Sequence, residues 1–211
     1  MVLMPEPVKG LRERKRLETH RALATTAVRL VAERGLDQVT VEDISAAAGV
    51  SPRTFFNYFA SKEDAVVIAH ADTADRTQRT IDKFLAAPKE VSTPRAFVNA
   101  LKEDFAQVDE NREEWLGRMK AIQENPTLHS RAVTMNHDAV APLIEAIAHR
   151  TGVDPQAGLY PTLLLSTLGG AVNAVLMLWY RHDGRVSALD LLDDAVETLL
   201  AGFPEPGGRA R

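Results

Sequence analysis

The sequence predicts an all-α protein, and three observations carry that prediction. Apolar residues recur at spacings of three and four through almost every segment, and strict apolar–polar alternation never persists beyond a few residues. Capping signals (serine, threonine or aspartate before proline, or three residues before an acid) open several of these segments. Glycine or proline closes them.

In chain order, Leu17 to Arg34 carries Leu23, Ala27, Leu30 and Val31 on one stripe and stops at Gly35. Thr40-Val41-Glu42-Asp43 is a capping box, so a helix begins at Val41, and Gly49 ends it after about two turns. Ser51-Pro52 is an N-cap with proline at the first helical position, and starts another helix after a turn of a few residues. Two short helices joined in this way and packed on a longer one make a helix-turn-helix.

Ser61 caps the following helix, with Glu63 and Asp64 in its first turn, and no glycine or proline interrupts it before Pro88. Thr93-Pro94 opens a helix with Phe97, Leu101, Phe105 and Val108 on one stripe, and Trp115, Met119 and Ile122 line the next. After Pro126 a long helix is expected through about Arg150, kinked at Pro142, which removes a hydrogen bond. Asp154-Pro155 opens one running to about His182. Ser187 with Asp190 caps the last, which reaches Leu200. Residues 1–10 and 204–211 read as disordered tails, 11–62 as the helix-turn-helix domain and 63–203 as a second, helical domain.

Composition narrows the function. Hydrophobic residues make up 45% and charged residues 26%, the balance of a soluble chain able to build a core. No cysteine is present, which excludes disulfides and thiolate metal sites, and Met1 to Gly10 has no secretory pattern, so a cytoplasmic location is expected. Leu159 to Tyr180 is uncharged and long enough to span a bilayer. It contains Pro161, Ser166, Thr167, Gly169, Gly170 and Asn173, so it reads instead as a buried interface helix, with no membrane contact expected.

There is no phosphate-binding glycine loop, nucleophile elbow or His/Glu metal motif, which argues against an enzyme and against a cofactor. His129, His137 and His149 stand eight and twelve apart, spacings that put no two within a turn on one helical face, so no metal site is expected. Net charge is −4, but residues 1–62 carry ten Lys or Arg against seven Asp or Glu, net +3, and the remainder is net −7. Only the N-terminal third, with Arg12, Arg14, Lys15 and Arg16 clustered near its start, has the sign suited to phosphate.

Val50 to Ala65, VSPRTFFNYFASKEDA, places four of the chain's twelve aromatic residues between positions 55 and 59. On a helix starting at Pro52, Phe55 and Phe59 are four apart and share the inner face, while Arg53, Thr54, Asn57 and Tyr58 lie outward or on the flanks, with Phe56 at the margin. Aromatic bulk thus braces a helix too short to be stable alone, since isolated helices below about 12 residues are marginal. Arginine and asparagine on a rigid short helix suit the major groove, where they bond guanine and adenine edges. Thr40, Tyr58 and Lys62 are placed to contact the DNA backbone.

The segment from about Leu17 to Val67, centred on TVEDISAAAGVSPRTFFNYFASKEDAV, resembles the DNA-binding domain of the TetR family of transcriptional regulators. The resemblance implies that Thr40 caps the motif's first helix near a phosphate, that Ser51, Pro52, Arg53 and Thr54 lead the recognition helix into the groove, and that Asn57 and Tyr58 face DNA with Lys62 on the backbone. It also implies a dimer on a palindromic double-stranded operator and a small-molecule effector that releases a repressor from it. The family usually has tyrosine where this chain has Phe56, so one phenolic contact to phosphate is absent and Tyr58 stands in for it.

The remainder of the chain resembles the family in layout. A helix-turn-helix this small needs two copies on a two-fold site, and the helix LLLSTLGGAVNAVLMLW and the one from Ser187 are the expected homodimer interface. Phe105, Trp115, Met119, Ile122, Met135, Asn173, Met177 and Trp179 are the candidate effector contacts, a mostly apolar set suited to an acyl-CoA-like or other apolar compound. Core packing explains the same residues. Two rivals stay open on sequence alone, an all-helical protein-interaction module and an activator of the same fold.

Overall fold

The computed structural model describes residues 10–135 and 137–204, with side chains outside 133–138, and among the described residues contains eleven α-helices and no strand. They form two compact units. The first comprises residues through Thr73 together with Lys120–Ala132, and the second Ala74–Met119 and Val133 onward.

In the first unit α1 (Leu11–Arg34) starts earlier than the apolar stripe alone implies. Its opening turns are polar, with Arg16 paired to Glu13 at 2.8 Å one turn away, so the basic cluster lies on a helix. Leu23, Ala27, Leu30 and Val31 are buried as their spacing predicts. They meet Leu36, Ile44, Phe55, Phe59, Ala65 and Val66 in one core, to which α2 (Val41–Ala47), α3 (Pro52–Phe56) and α4 (Lys62–Val67) contribute. The two expected tails lie outside the described residues apart from Gly10 and Pro204.

The single helix expected from Ser61 towards Pro88 is two helices. α4 stops at Val67, where Ile68 turns to an extended ψ of 99°, and α5 (Thr73–Ala86) starts afresh. Val66, Val67 and Ile68 are three consecutive β-branched residues, which crowd the preceding helical turn and favour extended backbone. That run is the stop signal.

The second unit is built from α5, α6 (Thr93–Glu110), most of α7 (Arg112–Glu124), the end of α8 (Pro126–Met135), α9 (His137–Thr151), α10 (Leu159–Arg181) and α11 (Ala188–Leu200). Pro142 sits inside α9. The continuity expected from Pro126 to Arg150 turns on Asn136, which lies outside the described residues. α10 begins at Leu159, later than Asp154-Pro155 suggests, because the Asp154 carboxylate accepts from the Gln156 amide at 2.8 Å and holds a turn there.

α6 packs on α11, and α10 on α9 and α11. Their core includes Phe84, Phe97, Phe105, Ile147, Leu168, Trp179 and Leu192. The Asp109 carboxylate ties three elements together, accepting from Trp179 Nε1 at 3.0 Å, Ser187 Oγ at 3.2 Å and the Ala188 amide at 3.0 Å. α10 is long and apolar enough to cross a membrane by length and composition. One side of it, Pro161, Leu168, Val175 and Trp179, is buried, the last three in this core, while Leu159, Leu163, Gly170, Ala174 and Leu178 on the other are exposed.

Candidate nucleic-acid interface

The interface begins with two caps. Thr40 Oγ1 accepts from the Asp43 amide at 3.1 Å and donates to Asp43 Oδ2 at 2.7 Å, while the Thr40 amide donates to the same oxygen at 3.0 Å. The predicted capping box is complete, and these bonds hold the Asp43 carboxyl below its ordinary value. Gly49, at φ 71°, makes the turn that a side chain would strain, and Ser51 Oγ then accepts from the Thr54 amide at 3.1 Å to open α3 at Pro52.

α3 and the residues that follow it through Phe59 present three faces rather than two. Phe55 is 0% and Phe59 2% exposed, their rings 5.6 Å apart, and Phe59 also lies 4.4 Å from the ring of buried His20 on α1. Thr54 and Tyr58, one turn apart, are half-buried on the flank, with the Tyr58 ring edge-on to His20 at 6.4 Å. Arg53, Phe56 and Asn57, at positions i, i+3 and i+4, point outward together. Phe56 is therefore not marginal: it is 58% exposed, between the two residues suited to base edges.

Lys62 departs most from the sequence expectation. Its ammonium group donates to the carbonyl oxygens of Leu36 at 2.8 Å and Val39 at 2.9 Å, so it holds the connection between α1 and α2. Nearby, Ser61 Oγ accepts from the Asp64 amide at 3.1 Å, and the buried Asp64 carboxylate takes a bond from Arg131 Nε at 2.7 Å. Lys120 Nζ donates to the Ala32 carbonyl at 3.1 Å. The segment Lys120–Ala132 thus braces the helix-turn-helix unit through two side chains that helical spacing does not single out.

The candidate effector residues divide. Phe105 and Trp179 are buried in the second unit's core, Trp115 packs against it, and Met119 is buried while Met177 is half-buried. Ile122 packs on the core of the first unit, because α7 passes from one unit to the other between Met119 and Lys120. Asn173 is exposed on the outward side of α10, and the side chain of Met135 lies outside the described residues. Outside that set, Arg118 is 2% exposed, and its guanidinium donates to Glu114 at 2.7 Å and lies 5.6 Å from the Trp115 ring centre. Burial pushes its pKa down and Glu114 opposes the shift. Spacing gives no warning of such a residue, since an arginine next to an apolar stripe reads as surface. Among the described residues no group of three or more histidines and acids is placed to hold a metal.

A short helix with an aromatic inner face, a capped start and outward arginine and asparagine, set on two longer supports, defines a helix-turn-helix DNA-binding unit. Comparison with known proteins agrees. Residues 23–66 match the family model "Bacterial regulatory proteins, tetR family", and residues 91–204, more than half of the chain, match the model "MftR C-terminal domain". The chain is 28% identical to the HTH-type transcriptional regulator TcmR of Streptomyces glaucescens, over 94% of this chain and 92% of that one. In fold it is similar to the SmeT–triclosan complex, SmeT being the repressor of a Stenotrophomonas maltophilia multidrug efflux pump (TM-score 0.60, 16% identity, 91% of this chain and 100% of that one). It is also similar to Thermus thermophilus FadR in complex with lauroyl-CoA (TM-score 0.53, 19% identity, 91% and 98%). The chain belongs to the TetR family of bacterial transcriptional regulators, and it is not an enzyme.

Proposed function

We propose that the protein is a cytoplasmic repressor that binds a palindromic operator as a homodimer through α3 and is released by a small apolar effector held in the second unit. The observation that carries the proposal is the outward side of α10. Leu159, Leu163, Gly170, Ala174 and Leu178 recur there at helical spacing, and a Cβ added at Gly169 or Gly170 would meet nothing within 4 Å beyond the helix itself. Those glycines serve no packing need inside the protomer, and bare helix backbone beside leucines suits close approach of a second copy. A two-fold pair would present two α3 helices about one helical turn apart on DNA, roughly 34 Å.

For the effector, Phe105, Trp115, Met119, Met177 and Trp179 supply apolar surface and Arg118 with Glu114 a polar pair, the mixture a small-molecule site requires. An acyl-CoA thioester is the first class to test, with triclosan-like aromatic compounds next, as the ligands named for structures of the same fold. Release would follow the chain: α7 and α8 are helices whose two halves belong to different units, so a rotation of either at the effector is felt beside Arg131 and Lys120. An effector does this only to the extent that it prefers the non-binding state.

The test is gel-shift titration of the full chain on DNA flanking its own coding region, with and without long-chain acyl-CoA. The proposal expects a dimer-sized shifted band that the effector dissolves. A shift that an effector strengthens, or transcription raised by the bound protein, favours an activator instead.

A further inference from the structure

Phe56 is the one large apolar side chain that α3 exposes, and it stands with Arg53 and Asn57 on a single face. Its ring meets the fully buried Phe55 ring edge-on at 5.5 Å, with the planes 86° apart. An edge-to-face contact of this kind adds orientation to simple burial. Phenylalanine offers neither donor nor acceptor, so a phosphate or a polar base edge has nothing to gain from it. Each major-groove edge of an A·T pair, by contrast, carries one apolar group, the thymine 5-methyl.

We infer that Phe56 is a specificity-determining residue that recognises the 5-methyl group of a thymine in each half-site, between the base edges bonded by Arg53 and Asn57. The inference rests on the DNA-reading role proposed for α3. Arginine and asparagine alone define a guanine and an adenine; Phe56 adds a thymine that neither of them bonds. Burying one methyl against the ring is worth about fourfold in affinity per half-site, or about fifteenfold when both half-sites change.

The experiment selects operators for the full chain from a randomised duplex pool, then replaces each selected thymine in turn by deoxyuridine, which removes only the methyl group. The expected result is one thymine per half-site whose replacement weakens wild type by about fourfold. Phe56→Ala should bind the two duplexes equally, whereas Phe56→Leu, which keeps an apolar group there, should keep part of the discrimination. Because Phe56 is largely exposed the variants should fold, which circular dichroism checks. Indifference of wild type to every deoxyuridine, or discrimination that persists in Phe56→Ala, overturns the inference while leaving DNA reading intact. Failure to enrich any duplex overturns both.

Discussion

Arg131 Nε lies 2.7 Å from an Asp64 carboxylate oxygen, joining the returning segment Lys120–Ala132 to the first turn of α4. The two side chains are unequal: Asp64's is 4% exposed and Arg131's 48%. The acid therefore depends on the base more than the base on the acid. Arg131→Ala leaves a buried carboxylate without that partner and should lower Tm by on the order of 3 °C, whereas Arg131→Lys should recover part of it. Thermal unfolding checks this, and equal melting of all three proteins speaks against the brace.

Lys62→Met tests whether its ammonium serves the fold or the DNA. Loss of two bonds from a charged donor to the Leu36 and Val39 carbonyls should cost about 2 kcal/mol of stability. The salt dependence of DNA binding should stay as it was. If instead the slope of log K against log salt becomes shallower by about 0.9 for each phosphate that Lys62 had neutralised, the side chain grips DNA.

Gly170→Leu separates self-association from folding by the sign of its two effects. Replacing an interior helical glycine favours the helix by up to about 1 kcal/mol. A Cβ placed at Gly170 meets no atom of another element within 4 Å. Self-association should nonetheless weaken, as should that of Leu163→Glu, and sedimentation equilibrium should show monomer for both. Dimers of unchanged affinity would place the interface elsewhere.

The capping box makes a pH prediction. Thr40's hydroxyl and amide hold the Asp43 carboxyl below its ordinary value, 3.8, so it titrates at lower pH folded than unfolded. A depressed acid contributes stability that is present above the ordinary value and lost as pH falls through the folded one. An NMR titration should find Asp43 below 3.8 in wild type and closer to it in Thr40→Val.

Much of the fold is legible in the sequence because its signals are local. Thr40-Val41-Glu42-Asp43, Ser51-Pro52 and the Phe55/Phe59 pair each act within one turn, and each appears in the structure as spacing requires. What spacing hides depends on partners distant in the chain. Lys62 looks outward in any helical projection, and only the position of the Leu36 and Val39 carbonyls turns it inward. Arg131 and Asp64 are 67 residues apart, and Ile122 changes units because a helix runs through the boundary. The break after Val67 is in view, but as β-branched crowding instead of glycine or proline.

The central claim is that the outward face of α3 reads bases. The most direct test compares wild type with Arg53→Ala/Asn57→Ala by fluorescence anisotropy, on a selected operator and on unrelated duplex of equal length at one salt concentration. Each bidentate contact is worth about 1–3 kcal/mol of discrimination, so the ratio of specific to nonspecific affinity should fall by about a hundredfold or more. A double variant that keeps the wild-type ratio would contradict the account.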